Sequence, residues 1–452
     1  MLVFLWWAGA GLSALVNIFY ELGFEDIVVV DKYQSEITDK LSKKWIKVVI
    51  WDGIYNFSDD NIIIYSDAVV SSQDFQKIWN NRKFTYFQFV WEISKRFQTI
   101  SVAGTHGKTS TTSILISSLR KLNFDKFWLW IVGGFVADLD NKNYYINPKH
   151  KDNIKTIFEK ILNPKWARPA ELFKELYFVI EADEFNKHFL LLDTYIWAIT
   201  KVDHDHKDVY STEKDYFETF EDFINKTRYK IFTNDEELNN KLENINKKIE
   251  LVDLSKSIEL KYAFGEHMRK NALLVKKIIE EVMEITDNSE IIKAISSFKW
   301  VWRRQEYLED LENISIYTDY AHHPVEIEAT YKSFKENFPG KEIIWVFQPH
   351  QLFRFVSYEK DFIESLKKFD EIYIYDIYSV REDNLLQKLT WLDLPKEEQK
   401  KIIWEKIANK VWWKYIEDFD KLINNINNQE WIVIFMTAWD LDYKIRNYLK
   451  KY

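Results

Sequence analysis

The sequence has no cysteine, which excludes disulfides, thiolate zinc sites and a cysteine nucleophile. Proline is sparse at 7 residues, and glycine numbers only 10 in a chain of 452. At the usual share of about 7 %, such a chain would carry roughly thirty glycines. An excess of positive charge is also missing. The net charge is −9, so there is no global cationic footprint for nucleic acid or an anionic membrane surface. The longest apolar run near the start, Met1 to Ala10, is too short for a bilayer and has no basic region before it. A soluble cytoplasmic protein is expected. What the chain has in excess is tryptophan, with 19 residues, and the tryptophan and glycine counts together come to 29, close to the ordinary expectation for glycine alone.

At 100–200 residues per domain the length suggests two to four domains. The chain opens with an apolar run Leu2 to Leu5, a turn holding Gly9 and Gly11, a helical pattern from Leu12 to Leu22 and a β-branched run Ile27 to Val30. Strands alternating with helices predict a parallel sheet covered on both faces. A second start of this kind comes at Thr99 to Ala103, with a helix from about Ser110 to Lys121, and a third near Ile314 to Thr318, with a helix to about Phe338. Residues 138–175 are polar and hold Pro148, Pro164 and Pro169, which predicts a surface excursion. Residues 233–261, rich in Asn, Lys and Glu, predict short peripheral elements. The reading is an α/β chain of three domains, spanning residues 1–90, 91–302 and 303–452.

The strongest chemical signal is Gly104-Thr105-His106-Gly107-Lys108-Thr109, followed by Ser110. Between a strand and a helix, successive backbone N–H groups of such a loop cradle phosphates. Lys108 would reach the β- and γ-phosphates, and Thr109 would ligate Mg2+. The full phosphate-loop pattern asks for a further glycine where Val102 stands. Two acidic clusters follow predicted strands, Glu181-Ala182-Asp183-Glu184 and Asp203-His204-Asp205-His206. The carboxyl ends of parallel strands are where ligands bind in such sheets, and Glu181 is a hard oxygen donor suited to Mg2+. The plain alternative for either cluster alone is a solvated loop end. The turn Gly9-Ala10-Gly11, with Asp31 some twenty residues on, imitates an incomplete dinucleotide fingerprint. Arg303-Arg304 taken alone is a solvated pair, and His322-His323-Pro324 and Gln348-Pro349-His350 taken alone are local hydrogen-bonding groups.

Taken in order, these strings resemble the Mur ligase family, and within it the branch that adds L-alanine; the resemblance covers nearly the whole chain. It implies a Rossmann-like N-terminal domain for a UDP-sugar, a central phosphate-loop-type ATPase with a mainly parallel sheet, and a Rossmann-like C-terminal domain for the amino acid. It also implies a reaction: ATP phosphorylates the lactyl carboxylate of UDP-N-acetylmuramate, and the amine of L-alanine attacks the acyl phosphate. By resemblance, residues Gly104 to Ser110, Asn271, Arg304 and Asp319 bind ATP. Thr109, Glu181 and His206 hold Mg2+. Gly9, Ala10 and Gly11 meet the sugar nucleotide, while His323 and Arg354 lie near the amino-acid end. Lys108, Glu181, His206 and His323 are the groups assigned to the chemistry. The chain departs from the family at Met268 for an asparagine, at Gln351 and Val356 for arginines, and at Phe185-Asn186 for a Ser-Asp pair. A tripeptide-recycling ligase of the same family is the nearest alternative. A Rossmann oxidoreductase and a non-catalytic nucleotide-binding protein are more distant ones.

The tryptophans fall where this family has glycine: Trp6-Trp7 before the first turn, Trp300 and Trp302 before Arg303-Arg304, Trp439 before Asp440, and Trp45, Trp51 and Trp197. A tryptophan neither adopts positive φ cheaply nor lets a backbone approach a pyrophosphate. Some bacterial lineages read UGA as glycine, and a gene of that kind translated with tryptophan would give this pattern. The expectation is that most of these positions are glycine in the cell, and that the all-tryptophan chain misfolds or loses nucleotide binding.

Overall fold

The structure is a computed structural model. It describes all residues except 7–8, 33, 52–56, 71–80, 164–174, 206–208, 243–247, 286–287, 312, 351, 377–397, 399–413, 427–431, 439 and 452. The chain forms two compact units, Met1–Ile258 with Lys270–Phe298, and Glu259–Arg269 with Lys299–Tyr452.

The first unit carries two sheets. Strands β1 (Leu2–Trp6), β2 (Ile27–Asp31), β3 (Lys47–Ile50), β4 (Ile62–Tyr65) and β5 (Arg82–Thr85) lie in the order β3-β2-β1-β4-β5, all parallel. The Val/Ile-rich strand β2 is buried along its whole length, as expected of a sheet covered on both faces. Helix α1 (Ala10–Glu21) follows β1 and buries Leu12 through Phe19. Helix α2 (Glu36–Ser42) starts at a Ser35–Thr38 capping box, and α3 (Tyr86–Ser94) at one made by Thr85 and Gln88. The strand order reverses at β1, which puts the crevice of this sheet at the turn that opens α1.

The second sheet joins β6 (Gln98–Ala103), β7 (Phe127–Val136), β8 (Lys142–Ile146), β9 (Tyr177–Glu181), β10 (Thr194–Ile199), β11 (Lys230–Thr233) and β12 (Ile249–Leu251) in the order β12-β11-β10-β6-β9-β7-β8. Only the β7–β8 pair is antiparallel among those described. Helix α4 (Lys108–Lys121) follows β6.

The excursion expected at 138–175 is a misreading. Its described part holds β8 and helix α5 (Lys151–Leu162), both packed into the core. Helix α5 buries Ile154, Ile157, Phe158 and Ile161, a helical spacing present in the sequence but hidden by flanking prolines and a polar composition. Phe158 meets Phe19 of α1 at 5.0 Å and Phe89 of α3 at 5.5 Å. The elements expected at 233–261 are a short helix, Glu236–Leu242, and the edge strand β12.

The second unit carries the third sheet: β13 (Glu306–Leu311), β14 (Ile314–Asp319), β15 (Ile343–Gln348), β16 (Ile372–Tyr375), β17 (Lys414–Ile416) and β18 (Ile432–Thr437), in the order β13-β14-β18-β15-β16-β17. All pairs are parallel except β13–β14. The strand runs expected near 314, 343, 371 and 431 are its four central strands. The two edges, β13 and β17, were not expected, because a half-exposed charged strand such as Glu306–Leu311 lacks an apolar run. Among the described residues, no helix is long and apolar enough to cross a membrane.

Candidate active site

Strand β6 ends at Ala103, the loop runs from Gly104 to Gly107, and α4 begins at Lys108. Gly104 has φ +132° and Gly107 has φ +83°, a region that L side chains avoid. Space is also closed to them. A Cβ on Gly104 would collide with the Thr200 hydroxyl, and one on Gly107 would lie 3.0 Å from Asn271 Nδ2. The loop is pinned from the neighbouring β10 side: the Thr105 and His106 amides donate to the Lys201 carbonyl at 2.8 and 3.3 Å. Thr105 Oγ1 donates to the Asp203 carbonyl at 2.7 Å, and the Thr200 hydroxyl donates to the His106 carbonyl at 2.5 Å. This leaves the first-turn N–H groups of α4, which have no intrahelical acceptor, at the mouth of the loop.

Lys108 folds back over the loop. Its Nζ donates to the Gly104 carbonyl at 2.6 Å, the Thr105 carbonyl at 3.1 Å and Glu184 Oε1 at 2.9 Å. Burial pushes its pKa down, but the nearby Glu184, Asp183 and Glu181 carboxylates outweigh that and hold it above the usual lysine value. Lys108 is therefore a fixed cation at this loop.

Strand β9 pairs with β6 in a register that sets Glu181 opposite Val102, so the acidic run emerges beside the loop. Glu181 Oε1 accepts from the Thr109 hydroxyl at 2.8 Å, and Oε2 accepts from the Gly133 amide at 2.8 Å. Burial, then the charge of Glu184, raises the Asp183 carboxyl above the usual range. Glu184 is buried and pairs with Lys108. Asn271, in the helix Glu266–Met283, accepts from Asn234 Nδ2 at 3.0 Å and borders Gly107. The structure thus brings Gly104 to Ser110, Glu181 and Asn271 together in the first unit. His206 lies outside the described residues.

At the other turn of this unit, Gly9 is extended and Ala10 and Gly11 open α1. The amide of Asn143, on β8, donates to the Ala10 carbonyl at 2.7 Å and to Ser13 Oγ at 3.1 Å. The ring of Tyr86 stands against Gly11, where a Cβ would fall 2.7 Å from its Cζ. Neither Asn143 nor Tyr86 was singled out by sequence reasoning. Each sits in a stretch without a motif, and only the fold carries it to the turn.

In the second unit, Asp319 ends β14 and is buried. Its Oδ2 accepts from the Gln305 amide at 2.8 Å and its Oδ1 from the Ala321 amide at 2.8 Å. Burial raises its carboxyl, and Arg304 opposes the rise. His323 precedes the helix Pro324–Asn337, is buried, and meets Tyr358 edge-on at 4.8 Å. Arg354 lies on the short helix Leu352–Ser357. The solvated-pair alternative for Arg303-Arg304 does not hold for Arg303. Its Nη1 donates to the Ala438 carbonyl at 2.8 Å, and its guanidinium stacks on the Trp302 ring at 3.9 Å.

Two family models match. The Mur ligase middle domain matches residues 102–291, and the Mur ligase glutamate ligase domain matches residues 303–435. A UDP-N-acetylmuramate–L-alanine ligase of Flavobacterium psychrophilum is 30% identical over 403 residues, covering 83% of this chain and 83% of that protein. A ligase of the same name from Christiangramia forsetii is 29% identical over 405 residues, covering 83% and 82%. Among solved structures, the UDP-N-acetylmuramate–alanine ligase of Thermotoga maritima superposes with a TM-score of 0.73 at 20% identity, covering 100% of this chain and 98% of that one. A murein peptide ligase from Psychrobacter arcticus superposes with a TM-score of 0.66 at 15% identity, covering 99% and 98%.

Proposed function

This chain belongs to the Mur ligase family, and on that premise we propose that it joins L-alanine to the lactyl carboxylate of UDP-N-acetylmuramate at the expense of ATP. The observation that carries the reading is the meeting of Thr109 with Glu181 at 2.8 Å beside a phosphate loop closed by Lys108. Relatives with this activity in their names cover most of the chain.

A carboxylate is a poor acyl donor, so the reaction first gives it a leaving group. The lactyl carboxylate oxygen attacks the γ-phosphorus of ATP, the bond to the β-bridging oxygen breaks, and ADP departs. The amine of L-alanine then attacks the acyl carbon. The C–O bond breaks, phosphate leaves with the electron pair, and the amine gives up a proton. Both steps spread negative charge over phosphoryl oxygens, and preorganised cations and N–H donors lower that cost.

Lys108 would supply one such charge against the β- and γ-phosphates, exchanging its loop carbonyl partners for phosphate oxygens. The first-turn amides of α4 would supply donors. The Thr109 hydroxyl and the Glu181 carboxylate are hard oxygen donors and suit Mg2+; when bound, Mg2+ neutralises charge on the transferred phosphoryl group. His206 is proposed for a second metal position, though imidazole is a softer partner than Mg2+ prefers. Asn271, Arg304 and Asp319 are proposed to hold the nucleotide, and His323 and Arg354 to meet the amino acid. The Gly9-Ala10-Gly11 turn is proposed to meet the sugar nucleotide. Domain boundaries near residues 90 and 303 and a cytoplasmic location belong to the same reading.

The test is phosphate release and product mass with UDP-N-acetylmuramate, ATP and either L-alanine or the tripeptide. Turnover with L-alanine supports the proposal. Turnover only with the tripeptide would move the chain to the recycling activity.

A further inference from the structure

Tyr86, the first residue of α3, is not part of any motif. Its ring stands against the turn of the first sheet: a Cβ on Gly11 would lie 2.7 Å from Cζ and 2.9 Å from the hydroxyl of Tyr86. The same side chain is close enough to Glu181 and Asp183 to feel their charge. Its hydroxyl makes no hydrogen bond to a described residue, while its ring is held edge-on by Phe87 at 5.0 Å. The phenol therefore stands against the turn proposed for the sugar nucleotide.

We propose that the Tyr86 hydroxyl donates a hydrogen bond to an anionic oxygen of the bound sugar nucleotide and so positions it for phosphorylation. A phenol, with an ordinary pKa of about 10, is protonated at neutral pH and acts as a donor to an anion. The same proximity requires Gly11, since any side chain there would displace the ring.

This inference rests on the ligase reading. The variant Tyr86→Phe keeps the ring and removes the donor. In the full chain with glycine at positions 6, 7, 45, 302 and 439, the KM for UDP-N-acetylmuramate is expected to rise by about tenfold, with the KM for ATP and the melting temperature unchanged. UDP-N-acetylglucosamine, which lacks the carboxylate, separates the two possible oxygens. An unchanged inhibition constant assigns the bond to the lactyl carboxylate, and a raised one assigns it to the diphosphate. If the parent chain ligates L-alanine and Tyr86→Phe matches it in both constants, the inference is wrong. If the parent with glycine at positions 6, 7, 45, 302 and 439 does not ligate at all, the ligase reading itself fails and this inference falls with it.

An independent observation concerns the tryptophans. Helices α1, α2 and α4 end in the same way. Past each helix stands one residue of left-handed backbone: Gly23 (φ +75°), Trp45 (φ +65°) and Asn123 (φ +51°). Each cap carries the same pair of bonds. Gly23 donates to Tyr20 and Phe24 to Phe19, Trp45 to Ser42 and Ile46 to Leu41, Asn123 to Arg120 and Phe124 to Leu119. This is the Schellman arrangement, whose left-handed position takes glycine and, less often, asparagine. Trp45 does not suit it, and with 94% of its surface exposed no packing compensates. Elsewhere the buried indoles of Trp130, Trp197 and Trp345 have no hydrogen-bond partner for Nε1, whereas a buried indole N–H usually finds one.

We infer that position 45 is glycine in the protein the cell makes, its codon being read there as glycine, and that the tryptophan excess of this chain has the same cause. Two measurements test it. The peptide spanning residue 45, taken from the native protein, is expected to weigh less than the written sequence by the tryptophan–glycine difference. In the expressed chain, Trp45→Gly is expected to raise the melting temperature by about 2 °C, while Trp45→Ala, which keeps a Cβ, does not. A tryptophan mass in the native peptide, or no gain from Trp45→Gly over Trp45→Ala, overturns the inference.

Discussion

The side-chain amide of Asn143 donates to the Ala10 carbonyl at 2.7 Å. Asn143 belongs to the antiparallel edge of the second sheet, and Ala10 opens the helix that follows the first strand of the first sheet. The bond ties the turn proposed for the sugar nucleotide to the sheet that carries the loop Gly104 to Gly107. Its second contact, to Ser13 Oγ at 3.1 Å, lies within a network that also joins Ser13 to Ala10.

Asn143→Ala removes that tie. The KM for the sugar nucleotide is expected to rise about three- to tenfold, with the KM for ATP unchanged. Steady-state kinetics with each substrate varied in turn checks this.

Lys108→Met removes the cation from the loop and leaves the buried Glu184 without its ion-pair partner. The turnover number is expected to fall by at least about a hundredfold. Stability is also expected to fall, because an unpaired buried carboxylate is costly. The pair Lys108→Met with Glu184→Gln separates the effects: it is expected to regain stability but not turnover, by thermal melting and phosphate release.

Glu181→Gln keeps the size of the side chain and removes its charge. The Mg2+ concentration for half-maximal rate is expected to rise by about tenfold or more. A magnesium titration of the two forms reads it directly.

His267 gives a pH signature. Burial, helped by Arg304 and Arg269, lowers its pKa to about 4 from 6.5. Between those values the unfolded chain binds a proton that the folded chain refuses. Stability therefore falls as pH drops from about 6.5 to about 4. His267→Gln is expected to flatten that part of the curve, measured as melting temperature against pH.

Much of this was legible in the sequence. The loop Gly104 to Thr109 announces itself because two glycines, a lysine and a hydroxyl stand at fixed spacing between a strand and a helix. Glu181 stands out because it ends an apolar run. Helix α5 was missed although its apolar spacing was there, since polar neighbours and prolines spoke louder. Asn143 and Tyr86 could not be read at all. Their placement comes from the register of an edge strand and the entry angle of a capped helix, neither of which leaves a local pattern. Trp45 was flagged by family position alone. Its left-handed backbone, shared with Gly23 and Asn123, supplies a physical reason.

We propose that this chain forms the amide between UDP-N-acetylmuramate and L-alanine. The most direct test is mass analysis of the product from ATP, Mg2+, UDP-N-acetylmuramate and L-alanine. It is run with the protein as written and with glycine at positions 6, 7, 45, 302 and 439. The glycine form is expected to give the L-alanyl product, ADP and phosphate in equal amounts, and the tryptophan form little or none. Failure of both forms to make that product, with ATP bound and folding intact, would contradict it.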